Sequence, residues 1–131
     1  MKALLIWSAL VAVMFGGYSV VATATRGTER VFVVVDSSFP MREVWSRVPR
    51  QLDEIDDRDH AEFALATEKR AVHGFQDELA LGAVEPFAPC TFEGIDQYPD
   101  AADADERILV TPEGSCDTTA LTGWTIIEVS P

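Results

Sequence analysis

V-F-V-V-V-D-S-S-F-P-M, residues 31 to 41, decides how this chain is read. Val31 to Val35 is an unbroken run of β-branched and aromatic residues, the composition of a strand buried on both faces in the interior of a parallel sheet. Asp36 ends the run, and a helical pattern opens a few residues later. Asp36, Ser37 and Ser38 therefore fall in a loop between a strand and a helix, where open α/β sheets gather their ligands.

Downstream of that loop, Met41, Val44, Trp45, Val48, Leu52 and Ile55 recur at helical spacing and make one apolar stripe on a helix of about four turns. Arg42, Glu43, Arg47, Arg50, Asp53 and Glu54 cover the other face. Ser37 or Ser38 is placed to cap the start, and Pro40 suits a first turn because its missing amide has no helical partner there. Pro49 conflicts with an unbroken helix: an interior proline costs about 3 kcal/mol, so the pattern predicts a kink or two shorter helices sharing the stripe.

Glu62 to Thr67 reads as a second strand, with Arg70 to Phe75 as its hairpin partner or an edge strand. Phe75 to Ala83 reads as a brief helix with Phe75, Leu79 and Gly82 inward. Glu85 to Asp105, with Pro86, Pro89 and Pro99 among many acids, reads as an irregular excursion of a length usually tied to function or mobility. Arg107 to Thr111 and Trp124 to Val129 are two further short strands. The segment between them has room for about one helical turn around Cys116 to Leu121, which is short for a parallel crossover. Together these elements predict a small, open, mostly parallel α/β sheet flanked by helices, Rossmann-like in layout.

Ala3 to Ala24 precedes that domain and contains no charged residue. A run of this length spans a bilayer as a helix. It also suits a signal peptide, because Gly16 and Gly17 interrupt it and Ala22-Thr23-Ala24 is a small-x-small cleavage pattern. The length of the apolar stretch favours an uncleaved anchor. The division is thus residues 1–25 as anchor or signal, 26–30 as linker and 31–131 as one domain. The expected location is single-pass in the inner or plasma membrane with the domain extracytoplasmic; the alternative is a secreted or periplasmic protein after cleavage near Ala24.

The net charge of −12 argues against nucleic acid, whose affinity comes from neutralising phosphates with Lys and Arg. The acid is concentrated late: from Gly74 onward 12 Asp and Glu face the single cation Arg107. Such a surface is well solvated or presented to a basic partner. Cys90 and Cys116 are the two cysteines, and in an oxidising compartment an even pair reads as a candidate disulfide; the other reading is two small unpaired core residues.

A buried strand ending D-S-S-F-P-M, an amphipathic R-E-V-W-S-R-V-P-R-Q-L-D-E-I and a later R-I-L-V-T-P-E-G together resemble a von Willebrand factor type A (VWA) domain. The resemblance runs from Arg30 to Val129, with its specific part at the front. The family signature is Asp-x-Ser-x-Ser at the end of the first strand, whose residues bind a divalent cation at the carboxyl edge of the sheet. It implies a Mg2+ or Ca2+ site at Asp36 and Ser38, with Thr91 as the loop threonine and Glu113 standing in for the acid of a Thr-Asp-Gly turn. Pro40 and Pro112 occupy two positions where the family supplies oxygens. The implied function is a membrane-tethered protein-interaction module whose cation receives an acidic side chain of a protein partner.

Other readings stand beside this one. Asp36 and Ser38 suit a helix cap with no metal. Without a cation, the domain becomes a structural or scaffold protein with an acidic binding surface. Asp96, Asp100, Asp103, Asp105 and Glu106 lack the spacing and glycine of a Ca2+ loop and read as a solvated acidic segment. His60 and His73 have no Cys or His at ligand spacing and read as surface residues. Ser37 or Ser38 with His73 and an acid would make a hydrolytic set, but the chain has neither G-x-S-x-G nor a glycine-rich phosphate loop, so no enzyme is expected.

Overall fold

The computed structural model describes residues 27–131 apart from Ala88 and Ser115. The anchor or signal segment, 1–25, lies outside the described residues. Among them, no helix is long and apolar enough to cross a membrane.

Among the described residues five strands form one mixed sheet: β1 (Glu29–Val35), β2 (Ala61–Thr67), β3 (Ala71–Gln76), β4 (Glu106–Pro112) and β5 (Thr125–Val129), in the order β3-β2-β1-β4-β5. The central strand β1 runs parallel to both neighbours, with Val31 opposite Phe63 on one side and Glu106 on the other. β5 is parallel to β4, and β3 is an antiparallel, bulged edge. β1 takes in the end of the expected linker: Glu29 N donates to His60 O and Arg30 N to Asp105 Oδ2, both at 2.9 Å.

Successive strand residues face opposite sides of a sheet, and here both sides are buried. Val31, Val33 and Val35 join Phe63, Leu65, Ile108 and Val110 in one core. Phe32 and Val34 join Ala64, Ala66 and Leu109 in the other. That double burial is why the Val31–Val35 run shows no polar alternation.

The first core is closed by the segment carrying the apolar stripe, and Pro49 decides its form. Instead of one helix, there are two 3-10 turns, Phe39–Glu43 and Trp45–Arg47, followed by α1 (Val48–Asp56). Pro49 sits in the first turn of α1, where its absent amide leaves no bond unmade. The stripe survives the break, with Met41, Val44, Val48, Leu52 and Ile55 all buried.

Among the described residues the other face has no helix of comparable length, so a sheet flanked by helices is corrected to a sheet with few helices. Its cover is the short 3-10 turn Ile95–Gln97, the five-residue α2 (Pro99–Asp103), Tyr98 and Trp124. Phe32 packs against the Tyr98 and Trp124 rings at centroid distances of 5.7 and 5.9 Å. The excursion is thus less irregular than its composition predicts. The brief helix expected over Phe75 to Ala83 is absent: Phe75 belongs to β3 and residues 77–83 form a loop. Side chains satisfy groups there that a helix would have satisfied, since Ala80 N donates to His73 Nε2 and Gln76 Nε2 to Glu78 O. The β4–β5 crossover is parallel with only turns between Cys116 and Leu121.

Candidate functional site

From β1 the chain moves to β2 on one side and later returns to β4 on the other, so the winding reverses between β1 and β4. At the carboxyl ends of such strands the departing loops diverge and leave a crevice. Asp36 sits there, its amide donating to Val110 O at 2.8 Å. The side chain is fully buried. Oδ1 accepts from Ser38 N at 2.8 Å and Oδ2 from Thr111 Oγ1 at 3.0 Å. Burial pushes the Asp36 carboxyl above its ordinary range, and the bonds from Ser38 and Thr111 only partly offset that rise.

Cys90 and Cys116 are joined in a disulfide over this carboxylate, with Cα atoms 5.9 Å apart. Cys116 Sγ lies 3.3 Å and Cys90 Sγ 3.7 Å from Asp36 Oδ2. Ser38 Oγ lies 3.9 Å from Cys116 Sγ. Neither serine caps the following turn with its side chain; Ser38 is turned to the sulfur and Ser37 to a carboxylate. Asp36, Cys90 and Cys116 are the group among the described residues whose ligand-type atoms converge, all within 4.8 Å of one another, although its two sulfurs are bonded to each other. Two of its three donors are sulfur, a set unlike the all-oxygen shell that Mg2+ and Ca2+ take.

Of the residues expected to bind a cation, Asp36 and Ser38 meet at this point. Thr91 is exposed beside Cys90, and Glu113 is exposed on the turn after β4, where it accepts from Ser130 Oγ at 2.6 Å. The hydroxyl that does bond Asp36 belongs to Thr111, the last letter of the R-I-L-V-T strand. Its position at the end of the strand beside β1 was the available signal. The acidic segment does not gather: Asp96 accepts from Trp124 Nε1, Asp105 from Arg30 N, and Glu106 pairs with Arg58.

A second network joins the ends of β1 and β2. The Glu68 side chain is wholly buried. It accepts from Ser37 N and Ser37 Oγ, both at 2.8 Å, and pairs with Lys69 Nζ at 3.0 Å. Lys69 Nζ also donates to Ser37 Oγ at 2.8 Å and Ser37 O at 3.2 Å. Ser37 and Lys69 superficially resemble a nucleophile and its base, but both are tied into this ion-paired lattice. His73, the base in the hydrolytic set weighed from the sequence, is engaged locally, with Nδ1 bonded to Gly74 O and Nε2 to Ala80 N.

Above both networks the edge is aromatic and cationic. Phe39 and Phe87 are the exposed large apolar side chains among the described residues, at 51% and 61%. Arg42 lies over the Phe39 ring at 5.3 Å and Lys69 over the Phe87 ring at 4.0 Å. The two segments are fastened together, because Phe87 N donates to Ser37 O at 2.9 Å and Arg42 Nε to Pro86 O at 3.2 Å. Beside them Ser37, Thr67, Lys69, Arg70 and Phe87 line a cleft of about 260 Å³. A wider groove of about 500 Å³ lies between α1 and the end of β5, where Arg50 pairs with Glu54 and Arg47 donates to Ser130 O.

No family model matches the chain, and no curated protein and no solved structure is significantly similar to it.

Proposed function

We propose that the chain is a protein-interaction domain, held on or released to the extracytoplasmic side of a membrane, that binds its partner at the carboxyl edge of the sheet without a cation. The observation that carries this reading is the pair of exposed rings, Phe39 and Phe87, pinned on adjacent segments under Arg42 and Lys69. Isolated exposed apolar residues are ordinary. Two rings held at the one edge where loops converge, beside a cleft, have the aromatic and arginine composition of an interface hot spot. Neither Arg42 nor Arg70 has a carboxylate partner among the described residues, although the chain as a whole carries −12. The partner segment therefore brings acidic groups together with apolar ones.

The type A resemblance supports the same edge and an acidic ligand group, but the local chemistry favours arginine over a Mg2+ or Ca2+ bridge. Both Asp36 oxygens are already hydrogen-bonded, and the disulfide sulfurs occupy the approach to Oδ2. Export is supported by the uncharged stretch Ala3 to Ala24 and by the disulfide, which is typical of oxidising compartments.

A displayed peptide library panned against the oxidised domain tests the reading. Enriched peptides should carry Asp or Glu beside large apolar residues and bind equally in chelator. They should lose at least tenfold in affinity to a Phe39→Ser/Phe87→Ser variant and to Arg70→Glu. Peptides indifferent to those substitutions, or dependent on Mg2+, would refute it.

A further inference from the structure

Asp36, Cys90 and Cys116 converge on one point but do so in a form that holds no cation, because bonded sulfurs are not thiolates and the thiolate is the ligand. The surroundings nonetheless have the dimensions of a metal centre. In a tetrahedral Zn2+ site with bonds of about 2.3 Å to sulfur and about 2.1 Å to oxygen, neighbouring sulfur and oxygen ligands stand about 3.6 Å apart. Asp36 Oδ2 stands 3.3 Å and 3.7 Å from the two sulfurs. Two edges of the ligand tetrahedron are therefore already set, and only the sulfur–sulfur edge must open, to about 3.8 Å.

We propose that reduction of the Cys90–Cys116 bond turns this point into a binding site for a borderline-soft divalent cation of the Zn2+ type, held by the two thiolates and Asp36 Oδ2. Water or Ser38 Oγ fills the fourth position. Thr111 Oγ1 and Ser38 N hold the carboxylate in place, as hydrogen-bonding neighbours do for metal ligands generally. Sulfur donors select Zn2+ over Mg2+ and Ca2+. Both cysteines are partly exposed, so a reductant can reach them.

The chemistry balances with an external dithiol. Its first thiolate attacks one sulfur to give a mixed disulfide and frees the other cysteine. Its second thiolate then displaces the remaining cysteine and leaves as a cyclic disulfide. Two electrons pass to the protein, the two protons of the dithiol end on the cysteines, and the cation displaces those protons when it binds. The excursion and the β4–β5 crossover are then linked either by the disulfide or by the cation. This inference does not rest on the binding-edge reading, since it uses neither exposed ring.

Co2+ is the probe, added to the full chain under three conditions: oxidised, phosphine-reduced without oxygen, and reduced then alkylated. The reduced protein should bind one Co2+ with thiolate-to-cobalt charge-transfer absorption in the near ultraviolet, and Zn2+ should displace it. The oxidised and alkylated proteins should show no such band. Asp36→Asn should weaken binding at least tenfold, and Zn2+ should raise the melting temperature of the reduced protein only. A reduced protein without the band, or an oxidised protein that binds equally, overturns the proposal; so does an Asp36→Asn protein with unchanged affinity. If Asp36→Asn fails to fold, Thr111→Val serves in its place, judged by the same band.

Discussion

Glu68→Ala should be among the most damaging single changes at the sheet's carboxyl edge, although Glu68 lies outside both apolar cores. Its buried carboxylate is the acceptor for two donors of Ser37, the amide and the hydroxyl, and Ser37 itself is 1% exposed. A buried donor left without an acceptor costs about 1 to 3 kcal/mol, so two orphaned donors give about 2 to 6 kcal/mol. The ion pair with Lys69 adds little, because the lysine is partly exposed and keeps its bonds to Ser37. Glu68→Gln retains one acceptor oxygen and should cost about half as much. Ser37→Ala removes a donor together with its need and should cost only about 1 kcal/mol. Urea unfolding with the disulfide intact measures all three at constant slope. The order Ala, Gln, then Ser37→Ala is the signature of orphaned donors. A Glu68→Ala protein within about 0.5 kcal/mol of wild type would refute the reasoning, since the Ser37 donors would then have found water.

Three further outcomes follow from the geometry. The Cys90–Cys116 bond spans a sequence separation of 26 residues, and chain-entropy arithmetic makes its loss worth about 3.5 kcal/mol. Calorimetry of Cys90→Ser/Cys116→Ser should therefore show a fall in melting temperature of roughly 15 °C or more. Asp36, whose pKa burial holds above its unfolded value, contributes stability that is full below the ordinary carboxylate range and lost as pH rises through the raised value. Urea unfolding across acidic to neutral pH should show that decline in wild type and its loss in Asp36→Asn. Pro49→Ala should cost less than about 1 kcal/mol by chemical denaturation, because the proline occupies a first turn and acts mainly on the unfolded chain; a gain near 3 kcal/mol would mean an interior position.

What could be read in advance depended on how local the cause was. Val31–Val35 declared itself because burial on both faces leaves a continuous apolar run, and β1, β2 and β4 were legible for the same reason. Pro49 announced a break but not its kind, since first turn and helix interior look alike until the register of α1 is known. The Phe75 to Ala83 helix misled because Phe75 and Leu79 have helical spacing, while β3 claims Phe75 as strand. Ser38 and Asp36 were visible as a loop after a strand. Thr111 and the sulfurs reach Asp36, and Glu68 reaches Ser37, from strands and loops far away in sequence, and that convergence depends on strand order, which no local pattern carries.

The position of β1 at the centre of the sheet also has a kinetic consequence. Its partners β2 and β4 are unequally distant: Val31 pairs with Phe63 nearby and with Glu106 only after most of the chain is available. Parallel pairings of such long range raise contact order and slow folding. When the chain is delivered from its amino end, Val31 to Val35 appears early as a bare, highly β-prone segment with one side open until residues 106–112 arrive. The segment that organises the finished domain is thus its chief aggregation hazard in transit, and a holding partner during synthesis would have its greatest effect there.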